Sequence, residues 1–196
     1  MTKTLDEAGL DLIFRTARTY NGYTDATVTE ADLRAIWDLM KWGPTSANMS
    51  PARIVWVTTP EAKEKLAVLT SATNADKIRK APVTAIIGMD MEFHEKLPRL
   101  FPHVDARSWF VGNDALIESG AFRNSSLQGA YLIIAARALG FDTRPMSGFD
   151  NAKVDDAFFA DSKIKSNFIC TLGVGDPSTI FERLPRLDFE DANSIL

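Results

Sequence analysis

Apolar residues recur at helical spacing along much of this chain, and short apolar runs separate the helical stretches. The spacing predicts a first helix from Leu5 to Ala17, carrying Leu5, Leu12, Ile13 and Phe14. Thr29 with Asp32 gives a capping-box signal ahead of Leu33, Ile36, Trp37 and Met40. Thr59-Pro60 suits the start of a helix through Leu66 and Leu69, because proline fits the first helical position. The longest candidate runs from Asp114 to Leu139, with Gly140 placed to end it in a left-handed residue. Asp150 can cap a short helix through Val154 and Phe158. Three branched, apolar runs read as buried strands: Ile54 to Thr58, Val83 to Gly88 and Phe168 to Val174. This alternation predicts an α/β or α+β sheet flanked by helices. Phe122, Leu127, Tyr131, Ile133, Ile134, Ala138 and Leu139 spread over more than one face of the long helix. Such a helix is buried on several sides, either inside a monomer or against a second subunit.

Composition narrows the classes. A chain of 196 residues, 45% hydrophobic and 24% charged, suits one domain spanning residues 1–196. A net charge of −4 gives no electrostatic case for nucleic acid or an anionic membrane surface. The single Cys170 excludes an intrachain disulfide and fits a reducing compartment. No apolar run reaches the roughly 18 residues of a membrane helix. Asp6, Glu7 and Asp11 argue against a signal peptide, so a cytoplasmic protein is expected.

The chemistry-bearing stretch is Gly43-Pro44-Thr45-Ser46-Ala47-Asn48-Met49-Ser50-Pro51-Ala52-Arg53, between a helix and a strand. Small and hydroxyl side chains there let backbone approach a flat ligand, and Asn48 can donate and accept. An ordinary turn uses the same residue types. No Gly-x-Gly-x-x-Gly follows a strand; Gly173-Val174-Gly175 lacks the third glycine. His94 and His103 have no partner set for a metal, and none is expected. Cys170 lies in an apolar run and reads as a buried thiol.

Four segments together resemble the FMN-dependent nitroreductase superfamily. They are Ala17-Arg18-Thr19-Tyr20-Asn21-Gly22-Tyr23, Pro44 to Pro51, Leu139-Gly140-Phe141-Asp142-Thr143 running into Pro145-Met146-Ser147-Gly148-Phe149-Asp150, and Arg183-Leu184-Pro185-Arg186-Leu187-Asp188-Phe189-Glu190. The runs Lys41 to Asn48, Phe101-Pro102-His103, Asp105 to Phe110, Phe122 to Ser126 and Pro145 to Asp150 are similar in detail to one branch. That branch is the malonic semialdehyde reductases of pyrimidine breakdown, the HadB/RutE type.

The resemblance implies an α+β nitroreductase-like fold, with a central mixed β-sheet flanked by helices in an intertwined homodimer. It also implies FMN as cofactor and NAD(P)H as co-substrate. Arg18, with Thr19 and Asn21, would hold the FMN phosphate, and Arg186 or Arg183 would close on it from the C-terminal tail. Asn74 and Lys77 would serve the flavin's pyrimidine edge or ribityl chain. Pro44, Thr45, Ser46 and Asn48 would contact the flavin across the subunit boundary. Pro145, Met146, Ser147 and Gly148 would run along the edge bearing the reactive nitrogen. The chain departs from the family at Asn21, where a second basic residue is usual, at Ser50 for glutamine, and at Ser147, where many relatives carry glutamate. Residues 90–113 read as a lid. In it Arg99 or Arg107 can fork a substrate carboxylate, Trp109 or Phe101 can exclude water, and His103 can donate a proton. The implied reaction is reduction of malonic semialdehyde to 3-hydroxypropanoate. The alternatives are a broad nitroaromatic or quinone reductase and a non-catalytic flavin-binding protein.

Overall fold

The structure, a computed structural model, describes residues 3–196. The first helix is broken. Its regular part α1 covers only Glu7–Leu10, and Asp11–Arg15 form a wider π-helical turn closed by the Thr16 N–H donating to the Asp11 carbonyl at 2.9 Å. The second, α2 (Glu30–Met40), starts as expected: Thr29 Oγ1 accepts from Asp32 N, and Asp32 Oδ2 accepts from Thr29 N at 2.8 Å. Strand β1 (Ala52–Val57) leads to a helical pair, α3 (Pro60–Ala67) and α4 (Ala72–Lys80), and then to β2 (Val83–Asp90). A short helix α5 (Leu97–Leu100) between two 3-10 turns precedes α6 (Asp114–Ala138). Strand β3 (Asp142–Met146), α7 (Asn151–Phe158), β4 (Ile164–Gly173) and a last turn α8 (Phe189–Ala192) complete the chain.

The sheet order is β1-β2-β4-β3, and every pairing among the described residues is antiparallel. The mixed sheet expected above is therefore corrected to an antiparallel one. The reason lies in the connections. The α3–α4 pair returns the chain to the end of the sheet where β1 stopped, so β2 must run the other way. β2 is buried at all eight positions because both its faces are covered. On one face Leu33, Ile36 and Met40 of α2 meet Leu132, Ala135 and Ala136 of α6 over Ala85, Ile87 and Cys170. On the other, Leu66, Ile78 and Val154 pack over Ile86, Ile169 and Met146. A third cluster joins the lid to the start of α6 through Phe93, Leu97, Phe110, Ile117 and Met49.

β3 is the strand the pattern did not show. It is short, it carries Asp142, Arg144 and Pro145, and it lies at the sheet edge, where a missing N–H is tolerated. Gly140 ends α6 with φ of +83°. Gly129 lets α6 sit close on the sheet, since a Cβ there would fall 2.4 Å from the Phe168 ring. No described helix is long and apolar enough to cross a membrane.

Candidate functional site

Two groups of the sequence-predicted residues stand at opposite edges of the sheet. Along the β3 edge, the Gly148 carbonyl accepts from Ser71 N at 3.0 Å and from Asn74 Nδ2 at 3.1 Å. A Cβ on Gly148 would lie 2.8 Å from Asn74 Nδ2, so a larger residue here would have to displace that side chain. Fixing that carbonyl presents the exposed Ser147-Gly148 backbone, whose N–H groups have no acceptor among the described residues. Beside it, α4 contributes Asn74 and Lys77, and Asn21, Thr73, Asp76, Lys77 and Lys80 line a cavity of about 380 Å³.

The segment 18–23 organises the rest of this edge. Asn21 Nδ2 donates to the Thr179 carbonyl at 2.7 Å, and Tyr23 bridges to Gly175 in a short antiparallel contact. Arg18 donates to the Phe181 carbonyl, while Arg183 donates to the Arg15 and Ala17 carbonyls, each at 2.9 Å. The tail thus brings Arg183, rather than Arg186, to Arg18; Arg186 folds on its own Leu184 and Pro185 carbonyls at 3.0 Å. Thr19 is exposed. Arg18, Lys77, Arg144 and Arg183 have no ion-pair partner among the described residues. Burial and the nearby Arg144 charge push the Lys77 ammonium below its ordinary pKa. A cationic cluster held only by carbonyl dipoles suits an anionic ligand.

At the β1 edge the loop 44–51 is held in a strained form. Ala47, Asn48 and Ser50 have φ of +47°, +50° and +39°, a region that costs roughly 1–3 kcal/mol per residue outside glycine. Two buried carboxamides on α6 hold it. Asn124 Oδ1 accepts from Ser46 N and Gln128 Oε1 accepts from Ala52 N, both at 2.8 Å. Arg53 donates to the Ser50 and Ala52 carbonyls and pairs with Asp90 at 2.6 Å. Ser50 N donates to Thr45 Oγ1 at 3.1 Å and Asn48 Nδ2 to the Leu100 carbonyl at 2.8 Å, which ties the loop to the lid. Pro44 and Ser46 are exposed. Asn124→Ala would strand the Ser46 N–H. We expect a loss of about 1 kcal/mol in chemical denaturation, the usual net contribution of one intramolecular hydrogen bond.

Within one chain these two groups do not meet. Three inter-strand steps, roughly 14 Å, separate β1 from β3. The loop is also braced by α6 on one face of the sheet, and Gly148 by α4 on the other.

Arg107 is not a free fork for a carboxylate: it pairs with Glu95 through two hydrogen bonds of 2.8 and 2.7 Å. That pair raises the Arg107 pKa and lowers that of Glu95. Arg99 is exposed and has no ion-pair partner among the described residues. Phe101 packs edge-on against both His103 and Trp109, with ring centroids 5.4 and 6.3 Å away. Cys170 is buried, and burial pushes its thiol pKa up to about 12, so it is no nucleophile at neutral pH.

Sequence reasoning missed Arg144, Asn124, Gln128 and Arg53. The i, i+4 carboxamides Asn124 and Gln128, midway along an otherwise apolar helix, were the available signal.

Residues 15–176 match the Nitroreductase family, and the chain belongs to that family. A Burkholderia lata protein, provisionally named NADH dehydrogenase/NAD(P)H nitroreductase, is 63% identical over 188 residues, 96% of each chain. One from Stenotrophomonas maltophilia with the same provisional name is 60% identical over 195 residues, 100% of both chains. Among solved structures, a provisionally named nitroreductase from Exiguobacterium sibiricum in complex with FMN superposes with a TM-score of 0.86 at 20% identity, over 100% of both chains. The enone reductase of a gut-bacterial fatty acid saturation pathway gives 0.85 at 18% identity, over 98% of this chain and 100% of its own. At such identities the structures establish the fold.

Proposed function

We propose that residues 1–196 form one FMN-binding domain, acting as an NAD(P)H-dependent FMN oxidoreductase whose two sites are each completed by a second copy of the chain. The observation that carries this reading is the set Arg18, Lys77, Arg144 and Arg183 on the β3 side of the sheet, none of them ion-paired among the described residues. Arg18 and Arg183 would neutralise the phosphate, with Thr19 and Asn21 beside them; Arg186, bonded to its own tail carbonyls, is the alternative to Arg183. Asn74 fixes the Gly148 carbonyl, which leaves the Ser147-Gly148 N–H groups to donate to the flavin edge along Pro145 and Met146. FMN when bound accepts hydride from a nicotinamide and passes it to a second substrate in the same slot. Pro44, Thr45, Ser46 and Asn48 would come from the partner, as their distance from Gly148 within one chain demands. The names of the relatives at 60–63% identity support the NAD(P)H-dependent reading.

For the acceptor, the sequence resemblance favours malonic semialdehyde, with Arg99 as the carboxylate contact, Trp109 as the wall and His103 as the proton donor. Nitroaromatics and quinones are the second reading. It is favoured by the names of the relatives and by the Glu95 pairing that withdraws Arg107.

An anaerobic absorbance titration of FMN-loaded protein tests the whole reading. NADPH or NADH should bleach the flavin band, and the true acceptor, either the semialdehyde or a nitroaromatic, should restore it. Absence of bleaching with both nicotinamides would leave only a flavin-binding protein.

A further inference from the structure

Arg144 is assigned to nothing by the motifs, yet it is a half-buried cation at the β3 edge. Its register partner on β4 is Thr171, which shares a 2.7 Å hydrogen bond with the Tyr23 hydroxyl. Arg144 Nη1 donates to the Tyr20 carbonyl at 3.1 Å, and its Nε is buried with no protein acceptor. The nearest acid along its strand, Asp142, instead takes the Gly175 N–H at 2.9 Å. Asp76, in the neighbouring cavity, lies 3.5 Å from Arg79. Thr84 on β2, paired with Thr171, also buries a hydroxyl without a partner.

A buried lysine readily gives up its proton, whereas a guanidinium stays charged in any protein environment. The lowered pKa of Lys77 makes the contrast concrete. Charges also act over longer range in such a half-buried site than in water. A half-buried cation with no carboxylate partner and a buried, unpartnered Nε is favoured where a ligand's charge compensates it.

We propose that Arg144 is a tuning residue for the bound cofactor: a permanent positive charge, set beside Lys77, that favours reduced over oxidised FMN. This rests on the flavin reading above. Hydride transfer moves two electrons and one proton from NAD(P)H to FMN, leaving NAD(P)⁺ and a flavin with one additional negative charge. A fixed cation near that charge stabilises the product of the step and raises the midpoint potential. Asn21, standing where the family usually has a second basic residue, supplies no charge, and Arg144, held by the neighbouring Tyr20 carbonyl, supplies it.

The test is spectroelectrochemical, on the full FMN-loaded protein. Arg144→Gln should weaken the preference for reduced over oxidised FMN at least tenfold, a fall of about 30 mV for a two-electron couple. Arg144→Met, similar in length and without the unpaired N–H, carries the same test if the Gln variant folds poorly. Arg144→Lys should lie nearer wild type than either. An unchanged potential in folded, loaded Arg144→Gln or Arg144→Met would overturn the proposal. So would an equal fall in Arg144→Lys, which would assign the effect to the Tyr20 hydrogen bond. Failure of the wild type to bind FMN would instead refute the flavin reading itself.

Discussion

Arg18→Ala should weaken FMN binding roughly 10- to 100-fold and leave riboflavin binding nearly unchanged. The guanidinium is oriented by the Phe181 carbonyl, and no carboxylate competes for it among the described residues. Arg183 is braced next to it by the Arg15 and Ala17 carbonyls. A charge-assisted hydrogen bond contributes about 1.5–3 kcal/mol, which sets the range. Riboflavin lacks the phosphate and isolates that contribution from any general disturbance of the segment. Quenching of flavin fluorescence gives both affinities. A loss shared equally by FMN and riboflavin would place Arg18 in the scaffold and not at the phosphate.

Leu127→Asp should turn the protein into a monomer and abolish FMN retention in the same stroke. The outer side of α6 leaves Leu116, Phe122, Leu127 and Tyr131 36–54% exposed. Trp42 at 79% and Leu39 at 45% flank it, and the tail adds Phe181, Leu184 and Leu187, all above 70%. An apolar expanse of this kind marks a protein interface, and a second copy is the occupant the proposed shared site calls for. At a two-fold contact the substitution enters twice, so two carboxylates face each other at a cost of several kcal/mol. Sedimentation velocity at micromolar protein, run alongside flavin absorbance, reads both effects. A monomer that holds FMN as tightly as wild type would show that one chain builds the whole site.

The helices that carried paired signals were legible in the sequence. Thr29 with Asp32, Thr59 with Pro60, and Gly140 after the long apolar helix each fix a boundary by local hydrogen bonding or a single φ. β2 was legible because both its faces are buried. β3 was not, since an edge strand need not be apolar and tolerates Pro145. The π-helical turn at 11–15 left no mark in the spacing, because one shifted hydrogen bond barely alters the apolar pattern. At the site, Gly148, Asn74 and Lys77 were legible as motif residues, and the structure brings them together along one edge. The pairing of Arg107 was not legible because nothing in the sequence announces that Glu95, across a turn of the lid, takes its fork. Arg144 was passed over because its importance comes from Tyr20 and Lys77, which reach it only in the folded chain.

Complementation decides whether each flavin site draws on two chains, as proposed. Arg18→Ala damages the β3-edge half, and Ser46→Trp obstructs the exposed loop half. Co-refolding the two differently tagged variants and isolating the heterodimer yields, on this account, one site with both lesions and one with none. We predict one FMN bound per heterodimer, at a concentration where neither variant homodimer retains any. A heterodimer as empty as its parents would show that the two halves belong to a single chain and would contradict the account.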